Sequence, residues 1–459
     1  MQIISNLNNW HCFGISSVYF LIMRRLLLFF LFLLFFVPVS GQQKWALEDC
    51  IKYAVQNNLN IKQGRIDIEK AEQNLRQSKW NMMPSVGASS SAGYSFGRTV
   101  VEGDLVSQSY FYNDYSLRAS VELFNAFSQQ NQISYSKFRK RASENSNLNA
   151  IDDLAFSIMN SFYDVIYFEE LLKITTKQKE LSQMIEKKTD VLVKTGLKAT
   201  ADLLEVKANL EKDELVCIQT ENKLASAWIE LRKAMNLKPD STIALSKNPY
   251  LVGEDENKNL DIMSLYGSLS SWSPQIKSYE YDQEASRKNL SIQRAAFFPS
   301  LGAGASYGTY YYPAGGNKDF AYQFKANQSQ YVGMSLSIPI FNRNANNTKV
   351  KLARLEYESA KVKLDQAKQD LLYEMVTNYN DLKASWSELN QARKQFDADT
   401  LAFNAAEKKY DQGMINVVDF YTAKNRMAST AGLVLRSELT VEVKKRIIEF
   451  YQGNRFWEK

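Results

Sequence analysis

The chain has 459 residues, 45% of them hydrophobic, and carries 56 basic against 50 acidic side chains for a net charge of +6. The two signs are interspersed and no basic block is present, which excludes a nucleic-acid-binding protein. Such a length holds two or three ordinary domains or one long repetitive one.

At the amino terminus, Arg24 and Arg25 precede an unbroken apolar run from Leu26 to Val37, followed by Pro38-Val39-Ser40-Gly41. A bilayer-spanning helix needs roughly 20 apolar residues, so this shorter run between a basic and a small-residue flank is that of a secretory signal peptide. Cleavage is expected near Gly41, with Met23 as the start and residues 1–22 as an upstream extension; no lipobox cysteine follows the run. Removing residues 1–41 takes away Arg24, Arg25, His11 and Cys12, so the mature net charge is 6 minus 2, or +4, and no histidine remains. That weighs against histidine acid–base catalysis, serine triads and most zinc sites. Cys50 and Cys217 have no CxxC spacing, so they are expected to be free thiols and not a disulfide framework. No enzyme, cofactor or metal is expected.

The rest of the chain is written twice. Ile61 to Gly87, ending in Pro84-Ser85-Val86-Gly87, matches Ile276 to Gly302, ending in Pro299-Ser300-Leu301-Gly302, at a shift of 215. Further on the shift is 217, relating Phe124-Asn125 to Phe341-Asn342, Asp164 to Asp381, Gly196 to Gly413 and Asp202 to Asp419. Residues 42–238 form the first repeat and 275–459 the second. The intervening 239–274, rich in Ser, Asn, Asp, Gly and Pro, are expected to form a linker.

Each repeat opens with a helix expected to run up to its proline, Pro84 or Pro299. Strands follow. From Val86 to Phe96 the even positions are mostly apolar and the odd ones only Gly and Ser. From Tyr115 to Leu123 the odd positions Tyr115, Leu117, Ala119, Val121 and Leu123 alternate with Ser116, Arg118, Ser120 and Glu122. Leu301 to Gly308 and Val332 to Ile340 repeat the pattern. A period of two predicts four strands, read as two isolated hairpins, each strand with one greasy and one small or polar face.

Asn125 to Thr195 and Arg343 to Gln412 then run without a single Gly or Pro. Each predicts a helix reaching roughly 105 Å at 1.5 Å per residue. Leu154, Ile158, Phe162, Val165, Phe168 and Leu172 recur at threes and fours, as a coiled-coil face requires. Gly196 and Gly413 end these helices, and new ones are expected over Lys198–Leu237 and Ile415–Tyr451, giving a long helical hairpin in each half.

Strands of about ten alternating residues match the length of a tilted transmembrane β-strand. Tyr110, Phe111, Tyr112 and Tyr310 to Tyr312 fall where an aromatic girdle meets the lipid interface. Four strands cannot close a membrane barrel, since an open edge in lipid leaves backbone groups unsatisfied and known barrels begin at about eight strands. A trimer is therefore expected, with Ser116, Arg118, Ser120 and Glu122 facing a wet lumen and Tyr115, Leu117, Val121 and Leu123 facing lipid. A soluble β-sandwich is the plainer reading of such strands, and a periplasmic coiled-coil adaptor or scaffold without a barrel is the alternative for the whole chain.

Trp45-Ala46-Leu47-Glu48-Asp49-Cys50-Ile51, with Ala54 and Asn57-Asn58, resembles the opening of the TolC-like outer-membrane efflux family. Pro-Ser-Val-Gly, Pro-Ser-Leu-Gly, Pro339-Ile340-Phe341 and the pattern Tyr410-Asp411-Gln412-Gly413 with Asp419 are similar to further marks of that family. The resemblance covers the mature chain from Trp45. It implies a mainly α fold with β, in which four strands per chain build a trimeric twelve-stranded barrel in the outer membrane of a Gram-negative bacterium, continued by an α-helical periplasmic tunnel. It further implies a channel subunit of a tripartite efflux or type I secretion system, a homotrimer embedded in outer-membrane lipid that docks a periplasmic adaptor, the membrane fusion protein, and an inner-membrane transporter. Gly196, Leu197, Gly413 and Met414 match the helical tips that dock the adaptor, and Asp202, Asp419 and Tyr410 match the pore entrance and inter-hairpin contacts. Two positions depart from the family's pattern: Ile415 stands where an arginine often bridges hairpins, and Thr422 where a second aspartate can ring the pore.

Overall fold

The computed structural model describes residues 44–101, 103–107, 109–246, 260–312 and 319–457. The expected signal peptide and residues 247–259 of the expected linker lie outside the described residues. Two compact units are distinguished. Among the described residues the smaller is a parallel pairing of Lys44–Trp45 with Ala244–Leu245, extended by the Ser246 N–H, which donates to the Trp45 carbonyl at 2.8 Å.

The larger unit contains the repeat. Its first half runs α1 (Leu47–Asn57), α2 (Leu59–Trp80), β1 (Ser85–Ser95), β2 (Arg98–Val101), β3 (Asp104–Ser107), β4 (Tyr110–Phe124), α3 (Ser128–Lys194) and α4 (Thr200–Ala234). The second half runs α5 (Ile262–Trp272), α6 (Pro274–Ala295), β5 (Ser300–Tyr311), α7 (Phe320–Ala326), β6 (Ser329–Ser337), α8 (Ala345–Asp411) and α9 (Val417–Tyr451). The duplication extends to residue level: α3 and α8 have 67 residues each, and α4 and α9 have 35 each. The α5 helix has the 11 residues of α1 and begins 215 positions after it, inside the segment expected to be a linker. That expectation is corrected: part of this stretch, with Ser264, Gly267, Ser268, Ser270 and Ser271 inside it, forms a helix whose start Asp261 caps, its carboxylate accepting from the Met263 N–H at 3.1 Å.

The strands form one antiparallel sheet in the order β1-β4-β5-β6, so the two hairpins are not isolated, as read from the sequence, but joined through β4 and β5. That pairing is non-local, and alternation within each strand carries no trace of it. In β4 a bulge between Glu122 and Phe124 leaves Leu123 without a direct partner and sets Phe124 opposite Leu301. The strict alternation expected to carry Leu123 on the greasy row therefore breaks, and Phe124 takes its place in that row. The last strand stops at Ser337. Ile338 and Ile340, expected within it, lie beyond, next to Pro339, which has no N–H to donate. The small β2–β3 hairpin and α7 are additions between the strands that alternation did not reveal.

At the sheet-to-helix passage the chain adopts positive φ at two consecutive non-glycine residues in each repeat, Ala126 and Phe127 (51° and 62°) and Arg343 and Asn344 (57° and 65°). Left-handed backbone is uncommon for side chains with a Cβ, so its recurrence at repeat-equivalent places marks a sharp turn required by the architecture. Beyond it the helices α2, α3, α6 and α8 pack side by side in that order, and each long helix turns back along its partner, α3 on α4 and α8 on α9. The buried stripe of α3 includes Ala155, Ile158, Met159, Phe162, Val165 and Ile166; Ile158, Phe162 and Val165 were expected there from the sequence, whereas Leu154, Phe168 and Leu172 are only half-buried.

Candidate functional site: the hairpin tips and the open sheet

Both long helices end in the same motif. At the first tip the Gly196 N–H donates to Val193 O at 3.0 Å and the Leu197 N–H to Leu192 O at 2.8 Å; at the second, Gly413 donates to Tyr410 O at 3.0 Å and Met414 to Lys409 O at 2.8 Å. These are Schellman caps, which need a left-handed residue after the helix, and Gly196 and Gly413 supply it with φ of 76° and 72°. The residue after each glycine is apolar and projects outward: Leu197 is 73% and Met414 69% exposed.

Asp202 and Asp419 both sit in the first turn of the returning helix. A carboxylate there is favoured by the helix dipole, an ordinary reason for its recurrence in both repeats. Asp202 is half-buried and Asp419 exposed, with the Asp419 N–H donating to Asn416 Oδ1 at 2.8 Å. Tyr410 lies elsewhere. It is buried in a cluster with Ile185, Val206, Phe403, Val417, Phe420 and Tyr421, its ring stacked on Phe420 at 4.8 Å between centroids. Lys198, from the first tip, donates to the Tyr410 hydroxyl at 3.1 Å and stands 4.2 Å from its ring centre. Tyr410 is thus a contact between the two hairpins. Ile415 packs on the same cluster, and the Thr422 hydroxyl donates to Val418 O at 2.8 Å.

Two further ties between the hairpins escaped the sequence reading. Lys188 of α3 pairs with Asp411 of α8 at 2.7 Å on the surface. Deeper in, Lys424 of α9 is fully buried and donates to Asp213 of α4 at 2.5 Å and to the Ser182 hydroxyl of α3 at 2.6 Å, while that hydroxyl donates to Asp213 at 2.6 Å. Burial pulls the Lys424 ammonium below the usual lysine range, opposed by the adjacent Asp213 carboxylate, and burial pushes the neighbouring Tyr421 phenol up to about 12. The signal was present: Val417, Phe420, Tyr421 and Lys424 follow helical spacing, so the lysine falls on an apolar stripe.

In the sheet, Ser116, Arg118, Ser120 and Glu122 share one face with the Gly and Ser positions of the neighbouring strands, since they stand opposite Gly308, Ser306, Gly304 and Gly302. Ser120 and Ser116 meet Ser85 and Ser89 across β1 at 2.9 and 2.8 Å, and Ser91 donates to Asp114. Glu122 accepts from Asn125 and Gln129 at 3.0 and 3.2 Å, which ties this row to the start of α3. The opposite face carries Tyr115, Leu117 and Val121 with Tyr307 and Ala303, then Val332 and Met334 of β6. Among the described residues no helix is long and apolar enough to cross a membrane, and no group of acidic, Cys or His side chains could hold a metal ion.

Comparison with known proteins agrees with this architecture. The sequence profile of the family described as outer membrane efflux protein matches residues 50–237 and 265–438. The chain is 21% identical over 408 residues to outer membrane protein TolC of Salmonella enteritidis, covering 84% of this chain and 79% of that one. Among solved structures it resembles the outer-membrane channel OprN with a TM-score of 0.78 at 18% identity, over 90% of this chain and 91% of that one. It also resembles the outer membrane protein VceC of Vibrio cholerae with a TM-score of 0.75 at 14% identity, over 89% and 96% of the two chains.

Proposed function

The chain belongs to the outer membrane efflux protein family and is an outer-membrane channel subunit, and from that premise we propose how the channel is built and gated. Three copies close their sheets into one twelve-stranded barrel, and their long hairpins form a tunnel across the periplasm through which substrates pass passively. The observation that carries this is the sheet itself, which among the described residues has two edge strands without an outer partner, an apolar face exposed over Val332, Met334 and Leu336, and a Gly/Ser face behind it. An isolated open sheet in lipid would leave a row of peptide groups unsatisfied, and closure by copies removes both edges. Ser116, Arg118, Ser120 and Glu122 then line the lumen. The family match and the free edges count against a periplasmic adaptor.

The tips regulate passage. Leu197 and Met414, held outward by the Schellman caps, form the docking surface for a periplasmic adaptor that links the channel to an inner-membrane transporter. Asp202 and Asp419 ring the entrance, and Tyr410 holds the hairpins of one chain together behind it. Native mass measurement of the purified protein in detergent is expected to read three chains, and a single membrane-inserted chain would overturn the architecture. In planar bilayers, Asp202→Asn with Asp419→Asn is expected to alter unit conductance and weaken block by multivalent cations while leaving the trimer intact, because like charges crowded at a pore mouth attract counter-cations. Unchanged conductance and block would leave these acids as helix-start charges only.

A further inference from the structure

We infer that the short helix α7 is a lipid anchor on the outer surface of the sheet, seated in the outer leaflet where headgroups give way to acyl chains. Tyr322 and the rims of Phe320 and Phe324 meet lipid there, with Lys325 reaching the headgroups. This rests on the reading that the greasy face of the sheet meets lipid, and it adds to that face an element outside the strands.

Contacts fix the side on which α7 lies. Phe324 meets the Tyr115 ring edge-on with centroids 5.6 Å apart, and Phe320 meets Tyr311 at 5.3 Å. Tyr115 stands opposite Thr309, in the row that continues through Leu117, Tyr307, Val121 and Ala303, so both rings mark the greasy face. The Thr309 hydroxyl, on a residue only 5% exposed, donates to the Phe324 carbonyl at 2.8 Å and satisfies one of the carbonyls left open at the end of the helix. Gln323 Oε1 accepts from the Tyr312 N–H at 2.8 Å, and the Asn327 side chain donates to the Tyr310 carbonyl at 2.8 Å. Asp319 caps the start, accepting from the Tyr322 N–H at 3.0 Å. The helix is thus fastened to β5 and covers a threonine that would otherwise set a hydroxyl in the greasy row.

Its polarity is the reverse of what water selects. Helical spacing turns Phe320, Gln323, Phe324 and Asn327 toward the sheet and Ala321, Tyr322 and Lys325 away from it. The helix buries a glutamine, while Tyr322 is 57%, Phe320 44% and Phe324 39% exposed. A surface helix in water buries its aromatics and exposes its amides. An outward tyrosine beside an exposed lysine suits a membrane interface, where the ring and the lysine stem lie in an apolar layer and the hydroxyl and ammonium reach water.

The height agrees. The long helices leave the sheet after Phe124 and Ser337, so α7, between Tyr311 and Ser329, lies at the opposite end, the outer-leaflet side of a channel whose helices are periplasmic. From Leu301, which stands opposite Phe124, to Thr309 the strand climbs eight residues, 309 minus 301. At about 3.4 Å per residue and a tilt of about 40° this is about 21 Å along the membrane normal, against an apolar band about 25 Å tall. The anchor therefore falls at the outer rim of that band. It also makes up a deficit there: of the aromatics expected to form the girdle, the register leaves Phe111 and Tyr311 on the greasy face, whereas Tyr110, Tyr112 and Tyr310 stand opposite Ser95, Gly93 and Asp114 in the Gly/Ser row.

Spin labels test the anchor. Nitroxides on Tyr322→Cys, Leu117→Cys and Ser120→Cys, each in protein reconstituted into phosphatidylcholine vesicles, report collisions with oxygen, which concentrates in lipid, and with a water-soluble nickel chelate, which stays outside it. The unmutated protein controls for label on the buried Cys50 and Cys217. For a helix sunk about 5–10 Å into the interface, the oxygen-to-nickel ratio at 322 is expected to lie below that at 117 and at least about threefold above that at 120. A ratio at 322 equal to that at 120, with 117 still rich in oxygen, puts α7 in water and overturns the anchor while the lipid-facing sheet stands. A label at 322 closed to both reagents sets a neighbouring copy over α7 and also overturns the anchor. If 117 matches 120, the lipid-facing reading of the sheet falls and the anchor falls with it.

Discussion

The sheet and the hairpin tips solve the same problem, burial of polar backbone and apolar side chains, in opposite ways. At the tips the Schellman caps at Gly196 and Gly413 meet carbonyls of the last helical turn within a few residues, and the two hairpins close on one another through Tyr410, Lys198 and the buried Lys424. The sheet is left open within one chain: among the described residues neither edge strand has an outer partner, and Val332, Met334 and Leu336 are exposed. Backbone pairing is obligatory and insensitive to side chains, so the sheet suits a permanent joint between copies. The tip contacts are made by a few side chains and can be exchanged without disturbing the strand pairing of the sheet.

The comparison breaks most sharply at Lys424. Lys424→Met leaves the Asp213 carboxylate without its buried cation, which is expected to destabilise the tip by about 3–5 kcal/mol, and adding Asp213→Leu is expected to restore most of that. Limited proteolysis at the tips and thermal melting follow both variants. If trimers are lost as readily as tip protection, the two regions are not separable.

A somewhat smaller effect is expected in the sheet. Val332→Arg sets a guanidinium on the row proposed to face lipid, at about 2–4 kcal/mol per chain near the bilayer centre, and is expected to deplete trimers from the outer-membrane fraction. Val418→Arg, at an exposed apolar position in the first turn of α9, is expected to leave trimer yield unchanged. Equal yields for both would remove the lipid-facing assignment. Smaller again, Gly196→Ala or Gly413→Ala forces a Cβ into left-handed backbone with open space around it, and should lower tip stability by about 1 kcal/mol each, read as a shift in denaturant midpoint.

The smallest effect is a null that sharpens the contrast. Burial, with the charges of Asp49 and Glu48, pushes the Cys50 thiol up to about 12. The folded chain is therefore expected to resist alkylation at pH 8, where a free thiol reacts through its thiolate, and to become reactive only on unfolding. A mass-resolved adduct at Cys50 in the native protein would contradict the burial of α1.

How much of this was legible differs between the regions for a physical reason. The long helices and their turns were readable because seventy-residue tracts free of Gly and Pro admit little else, and because only glycine readily takes the backbone after Thr195 or Gln412. Strand periodicity was equally local. The β4–β5 pairing, the bulge at Leu123 and the additions α7 and β2–β3 were not legible, since each depends on partners distant in sequence or on short polar segments with no period. The α5 helix was hidden by composition; it lies 215 positions after α1, the shift that relates the two repeats, but the sequence alignment began only at Ile61 and Ile276. At the tips the glycines and repeated aspartates stood out by recurrence, while Lys198 and Lys188 have no lysine counterpart in the other repeat, and Lys424, whose repeat equivalent Lys207 is exposed, became visible as a buried tie only in three dimensions.

The equal lengths of α3 and α8 have a consequence for the history of such a chain. Inserting one residue into either helix alone would advance its turn by about 1.5 Å and rotate it by about 100°, so Gly196 and Gly413 would no longer lie level and Lys198 would swing away from Tyr410. Lengthening of such a helix is therefore tolerated only in matched steps, most simply whole heptads of about 10.5 Å in both repeats at once. The two halves act as paired rulers, and a descendant that changes one must soon change the other.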